Sequence, residues 1–336
     1  MPDSRLNGAE RALQHSFRFT HVFKGLLMAL AVWAAYQPIR SLPDRQPRPD
    51  ASVALSVRPV QLPQPPGPFR LAGAWKLDAS DPRFGGLSAL AIDQGRFLSV
   101  SDRGSVVRFD RPEVDSPTVR LLDLSDGPGP FGERWARDAE SLAPDPQGLG
   151  WWIGFEQNHS LWLYDPAFKR ALSKIELNRP DWWNNRGAEG LLAAAGRLLV
   201  VAENGREAMP VMDRRPGRVG LEAGADVADA ATAPDGSQWL LLRTRDQRGI
   251  TQSIAPLLRT SVGYRAGPAW PVAKGVFDNL EGMAIEEISG SRLRFWLISD
   301  DGHRIMARTL LVAFDYTPSA AHSKSPATSA GPSRKP

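Results

Sequence analysis

Five segments of this 336-residue chain share one form. Each has a small or acidic residue, a short apolar strand, a glycine-bearing turn, a second apolar strand and a closing polar residue. They are GLSALAIDQGRFLSVSD (86–102), AESLAPDPQGLGWWIGFE (139–156), AEGLLAAAGRLLVVAE (188–203), ADAATAPDGSQWLLLRTRD (228–246) and LEGMAIEEISGSRLRFWLISD (280–300). With Ser88, Glu140, Glu189, Asp229 and Glu281 as the equivalent position, the form recurs every 40 to 52 residues. A unit of that size cannot bury its apolar face alone and stacks on its neighbours. With no helical periodicity beside it, the period predicts an all-β chain folded as a β-propeller of four-stranded blades. The count favours five blades; a sixth stays open because the fourth repeat has long, poorly patterned connections. Further apolar runs, VVRFD (106–110), TVRLLDL (118–124), SLWLYD (160–165) and ALSKIEL (171–177), complete the first two blades. The last repeat has three strands, ending in LLVAFD (310–315), and FRLAGAWKLD (69–78) is expected to supply the fourth and close the ring.

Outside this unit the chain changes character. Residues 25–36, GLLMALAVWAAY, follow scattered basic residues (Arg5, Arg11, Arg18, Lys24). Twelve apolar or small residues fall short of the roughly 20 of a membrane span. Residues 1–36 therefore read as a signal peptide or an uncleaved anchor, and the protein as periplasmic, with inner-membrane association through 25–36. Residues 37–68 carry nine prolines and read as an extended linker, 69–317 as the propeller, and the Ser/Pro/Ala-rich stretch 318–336 as a disordered tail. The net charge of +4 belongs to the two ends: residues 69–316 hold 33 acids against 30 basic residues, which argues against a nucleic-acid partner. The absence of cysteine removes disulfides, thiol nucleophiles and thiolate metal sites.

In an antiparallel hairpin the start of one strand and the end of the next lie at the same end. Two polar sets therefore share one rim of the ring: Ser88, Glu140, Glu189, Asp229 and Glu281, then Asp102, Glu156, Glu203, Arg245 and Asp300, with Asp301 alongside. Converging carboxylates repel unless a cation sits among them. A hard cation with oxygen ligands, suspected to be Ca2+, resolves the conflict, with Glu140, Glu189, Glu281, Asp102, Glu156 and Asp300 as ligands. Arg103, Arg186, Arg243 and Arg245 offer another solution, by neutralising the acids or binding an anion. Asp102 and Asp300 also read as turn caps in SDRG and SDDG. His159, in FEQNHS, is a candidate acid/base or an ordinary rim histidine, and His303 is a weaker one. Trp151–Trp152 and Trp182–Trp183 read first as core, the second pair otherwise as an aromatic ledge at the mouth. There is no nucleophile elbow, phosphate loop or HExxH helix.

The series GGLSALAID, SVSDRG, DAESLA, GFEQNHSLWLYD, GAEGLL, VVAENG, ADAATAPDG and LEGMAIE…LISDDG…RTLLVAFD resembles the phytase-like family, exported bacterial proteins described by an esterase-like activity of phytase. The resemblance covers about 84–315. Ala89 and Ser141 stand where the family has glycine, LLRTRD stands where it tends to show a glutamate followed by arginine, and the calcium-binding aspartates of true propeller phytases are few. It implies a β-propeller, export and a hydrolase of phosphate or carboxylic esters. The family positions carry over as Ser88, Asp102, Glu140, Glu156, Glu189, Glu203, Asp229, Glu281 and Asp300. The expected function is metal-assisted hydrolysis of a small anionic ester. Glu189, Asp229, Glu203 and His159 are its catalytic candidates, and Arg103, Arg245 and Ser88 its substrate contacts. The alternative is a non-catalytic propeller that binds a ligand or protein at the inner membrane.

Overall fold

A computed structural model describes residues 46–131, 136–179, 181–182, 187–194, 196–247, 249–275, 279–304 and 306–317. Two compact units divide the chain. Leu42–His303 with Ala307–Pro336 carries all the strands below, and Met1–Ser41 with Arg304–Met306 falls almost wholly outside the described residues. The signal or anchor segment 1–36 and the tail 318–336 also lie outside them.

The strands are β1 (Ala51–Pro59) and β2 (Phe69–Ala79), followed by antiparallel meanders. The first meander is β3 (Leu87–Asp93), β4 (Arg96–Ser101), β5 (Ser105–Phe109) and β6 (Thr118–Asp123). The second is β7 (Ala139–Pro144), β8 (Trp151–Phe155), β9 (Ser160–Tyr164) and β10 (Ala171–Glu176). The third comprises β11 (Ala188–Ala194), β12 (Arg197–Ala202), β13 (Glu207–Met212), β14 (Arg215–Pro216) and β15 (Val219–Glu222). The fourth comprises β16 (Asp226–Thr232), β17 (Gln238–Asp246), β18 (Gly249–Arg259), β19 (Gly263–Ala266) and β20 (Trp270–Gly275). The fifth is β21 (Asn279–Ser289), β22 (Arg292–Asp300) and β23 (Thr309–Tyr316). Local chemistry sets the hairpins: Gln94 and Gly95 both have positive φ (50° and 80°), the two-residue turn whose twist matches its flanking strands.

The first strands of the meanders pack in a closed circuit: β3 on β7, β7 on β11, β11 on β16, β16 on β21, and β21 on β3. An apolar cluster lies between each consecutive pair of meanders. Trp151 joins Leu98 and Val100 of the first meander, while its neighbour Trp152 joins Leu191 and Val200 of the third. Strand alternation sends the two indoles to opposite faces, and both are core. Trp182 is buried in the same apolar cluster as Trp152, whereas Trp183 lies outside the described residues. The arrangement is all-β and consistent with a β-propeller.

As expected, β2 pairs antiparallel with β23, from Phe69 opposite Tyr316 to Leu77 opposite Thr309. The reading of 37–68 as a linker requires correction. Residues 51–59 form β1, paired with β2 on one side and with β6 on the other, so the last and first meanders become one nine-stranded sheet. The reason is visible in ASVALSV: Val53, Leu55 and Val57 alternate with smaller residues and face the core, with Leu55 buried. The prolines that mask this alternation lie before the strand, at its last residue and beyond it, and none stands inside ASVALSV. The third and fourth meanders are likewise joined at their outer edges, through the parallel pair β15–β19.

Candidate functional site

At the start of each inner strand the hairpin register skips one residue. Leu87 pairs with Ser101 and Ala89 with Val100; Ala139 with Phe155 and Ser141 with Gly154; Ala188 with Ala202 and Gly190 with Val201; Leu280 with Ser299 and Gly282 with Ile298. The skipped residues are Ser88, Glu140, Glu189 and Glu281. A β-bulge of this kind leaves a residue out of the ladder and re-aims its side chain, a device common beside functional sites.

The fourth meander corrects the sequence reading by one position. Val227 pairs with Leu242 and Asp229 with Leu241, so the bulge residue is Ala228, not Asp229. Asp229 corresponds to Ala89, Ser141, Gly190 and Gly282. Its carboxylate is buried and accepts two backbone N–H groups, from Ala230 at 2.7 Å and from Met283 on β21 at 2.6 Å. Burial holds its proton affinity well above the usual carboxylate range, against those two hydrogen bonds. The same register moves the rim arginine. Arg243, opposite Asp226, corresponds to Asp102, Glu156, Glu203 and Asp300, while Arg245 stands two residues further along β17, exposed and opposite Ile250.

Glu156 is the hinge of the acidic cluster. One oxygen each from Asp138, Glu140 and Glu156 lie within 4.8 Å of one another, and so do oxygens from Glu156, Glu189 and Glu203. Burial, then the fields of Asp138, Glu203 and Glu281, push the Glu156 carboxyl up to about 8, with Arg243 opposing. Glu140 is held well above the usual range by burial and then by Asp138, Glu189, Glu281 and Glu156. Glu189 behaves alike, through burial and then Glu156 and Glu203. Five acids of the second and third meanders thus converge, and protons or a cation must relieve their mutual repulsion.

Arg243 bounds the cluster on the fourth meander. It is buried and donates to Glu203 at 2.9 Å and to Glu281 at 2.5 Å, and Asn279 also donates to Glu281. Burial disfavours its charge, but Glu281, Glu189 and Glu203 outweigh that and hold it firmly protonated. Glu281 is therefore drawn to the arginine and belongs to neither three-carboxylate group. Its proton affinity is nonetheless raised, by burial ahead of the arginine's opposing effect.

Asp102 and Asp300 stand on the first and fifth meanders. Asp300 accepts the Gly302 N–H at 2.6 Å, the turn cap read from SDDG, and is held well above its usual range by burial, Glu281 and Asp102. Arg103 reaches Asp102 at 3.9 Å. Ser88 is buried, its hydroxyl 3.5 Å from the Gly86 carbonyl. The ring of His159 packs edge-on against Trp182, centroids 5.4 Å apart, and makes no ion pair with the carboxylates among the described residues. Arg186 lies outside the described residues. Sequence reasoning missed Asp138 and Asn279. Both stand two residues before a bulge, in DAE and NLE, so aligning on the bulge rather than on charge would have found them.

No curated protein matches the chain. Among solved structures it is similar to glutaminyl cyclase from Myxococcus xanthus, at 14% identity over 78% of this chain and 99% of that one, TM-score 0.45. It is similar to hydrazine synthase from Kuenenia stuttgartiensis (14% identity, 64% of this chain, TM-score 0.37), spanning 56% of that chain. An auxiliary nutrient binding protein from Bacteroides thetaiotaomicron is similar at 10% identity over 80% of this chain and 77% of that one, TM-score 0.40. At these TM-scores the likenesses carry no argument about activity. A family model described as "Phytase-like: Esterase-like activity of phytase" matches residues 82–303, a span containing the whole bulge series and its facing acids. The chain belongs to this phytase-like family.

Proposed function

We propose that the protein is a metal-assisted hydrolase of small phosphate or carboxylic esters, built on a five-bladed propeller whose inner strands form the closed circuit. The observation that carries the reading is the pair of three-carboxylate groups meeting at Glu156. The donors fit a hard divalent cation such as Ca2+: all are oxygens, and a mutual span under 4.8 Å suits metal–oxygen bonds of about 2.3–2.6 Å. Asp138, Glu140, Glu156 and Glu189 would hold it, with Glu203 at its edge. When bound, such a cation polarises an ester oxygen and acidifies a coordinated water.

The chain's own residues supply the rest. Glu203, oriented by Arg243, takes the base role, since both oxygens of Asp229 are engaged by backbone N–H groups. Arg243 and Arg103 form the cationic side of the mouth and suit the anionic part of a substrate. Export to the periplasm and membrane association through residues 25–36 belong to the same proposal. Glu189→Gln in the full-length protein, assayed on ester and phosphoester panels with calcium and with chelator, should lower turnover at least about 100-fold with the fold retained. Unchanged turnover overturns the assignment.

The ion pairs of Arg243 favour a second reading, a non-catalytic binding ring in which the arginine does part of a cation's work. A chain inert on every substrate and metal combination would support it.

A further inference from the structure

His303 is absorbed by nothing above. It is wholly buried, and neither ring nitrogen has a hydrogen-bond partner among the described residues. Neutral imidazole carries one donor and one acceptor, and burying both unpaired is costly. The ring is nonetheless rigidly placed. Asp301 Oδ1 accepts the His303 N–H at 2.9 Å and the Gly86 N–H at 2.9 Å, and Asp301 Oδ2 accepts the Thr309 hydroxyl at 3.1 Å. His303 sits at φ 50°, in the left-handed region. The surrounding contacts therefore aim the imidazole and leave its nitrogens for something else.

The nearest charged atom to that ring in the ion-pair geometry is Asp102 Oδ1, 3.6 Å from Nε2. That is too long for a hydrogen bond. It is the separation of two donors on one metal ion, because bonds of about 2.0–2.2 Å at a tetrahedral angle put ligand atoms about 3.3–3.6 Å apart. Gly86 brings the backbone close against both atoms, with no side chain of its own between them. A Cβ there would stand 2.9 Å from Nε2 and overlap Asp102 Oδ1, and one on Gly85 would stand 3.1 Å from Nδ1. Both glycines have positive φ, 132° and 59°.

We propose that His303 Nε2 and Asp102 form a second cation site, between the fifth and first meanders, for a divalent transition ion such as Mn2+ or Zn2+. Water or a ligand's own oxygens complete its shell. The imidazole sets its selectivity, since nitrogen donors suit these ions and calcium takes oxygen. The site is separate from the Glu156 cluster and holds whether or not the protein is a hydrolase.

Electron spin-echo spectroscopy of the full-length protein loaded with Mn2+ tests it, because a coordinated imidazole modulates the echo through its nitrogens. The modulation is expected in the wild type, lost in His303→Gln and kept in Glu189→Gln. Its absence from the wild type, or its persistence in His303→Gln, overturns the proposal. Should His303→Gln fail to fold, Asp102→Asn decides. A fall of about tenfold or more in Mn2+ affinity at the nitrogen-bearing site upholds the proposal, and unchanged affinity overturns it.

Discussion

Asp229 and Glu189 are both buried acids near the start of an inner strand, yet one residue of register gives them different work. Glu189 is the bulge residue and meets Glu156 and Glu203. Asp229 is back in the ladder, and its oxygens tie β16 to β21 through the Met283 N–H. Asp229→Asn would turn an amide donor toward one of those backbone donors, at a cost of about 1–3 kcal/mol. The melting temperature should fall by several degrees, while any rise on adding calcium is retained. An unaltered melt would remove the stapling role. The acidic rim was legible in the sequence because strand ends converge. Which acid faces its neighbours was not, because charge is visible along the chain and register is not.

At the scale of elements, β1 is the instructive case. Composition over 37–68 is dominated by proline, and a proline-rich average predicts an extended linker. The seven residues ASVALSV carry a strand's alternation inside that average, and two free sheet edges, those of β2 and β6, accept it. Leu55 is buried against the cluster containing Phe97, Trp296 and Leu311. Leu55→Ala should therefore cost about 2–3 kcal/mol in denaturant unfolding, as deletion of a buried leucine side chain does. A linker residue would cost next to nothing. The paired tryptophans show the opposite case: Trp151 and Trp152 were readable as core because adjacent residues in a strand point to opposite faces.

For the whole molecule, the acidic cluster couples fold, proton and cation. Burial and the neighbouring acids push the Glu156 carboxyl from its ordinary value of 4.5 up to about 8 in the folded chain. Between those values the folded protein holds a proton that the unfolded chain has released, so stability declines as pH rises through about 8. Chelated protein should accordingly melt lower at pH 9 than at pH 6, with Glu140 and Glu189 adding to the trend. Cation binding must displace these protons, so calcium affinity should rise with pH, by at least about tenfold between pH 6.5 and 8.5 in titration calorimetry. Added calcium should also reverse the alkaline loss of stability. A melt independent of pH and of calcium would mean that Arg243 alone neutralises the cluster.

Strand alternation, turn glycines and the period of the hairpins are local properties, so the amino-acid sequence alone carried the all-β architecture, the order of the repeats, the closure by β2 and the convergence of acids on one rim. Tertiary structure decided that Ala228 occupies the bulge and Asp229 the ladder, that Arg243 rather than Arg245 neutralises Glu203 and Glu281, that β1 fills the gap between the last and first meanders, and that His303 faces Asp102. Each of these depends on which residue stands opposite which across strands distant in sequence. Cross-strand hydrogen bonds and packing settle that pairing together, and a shift of one residue exchanges a side chain that faces the ring for one that does not.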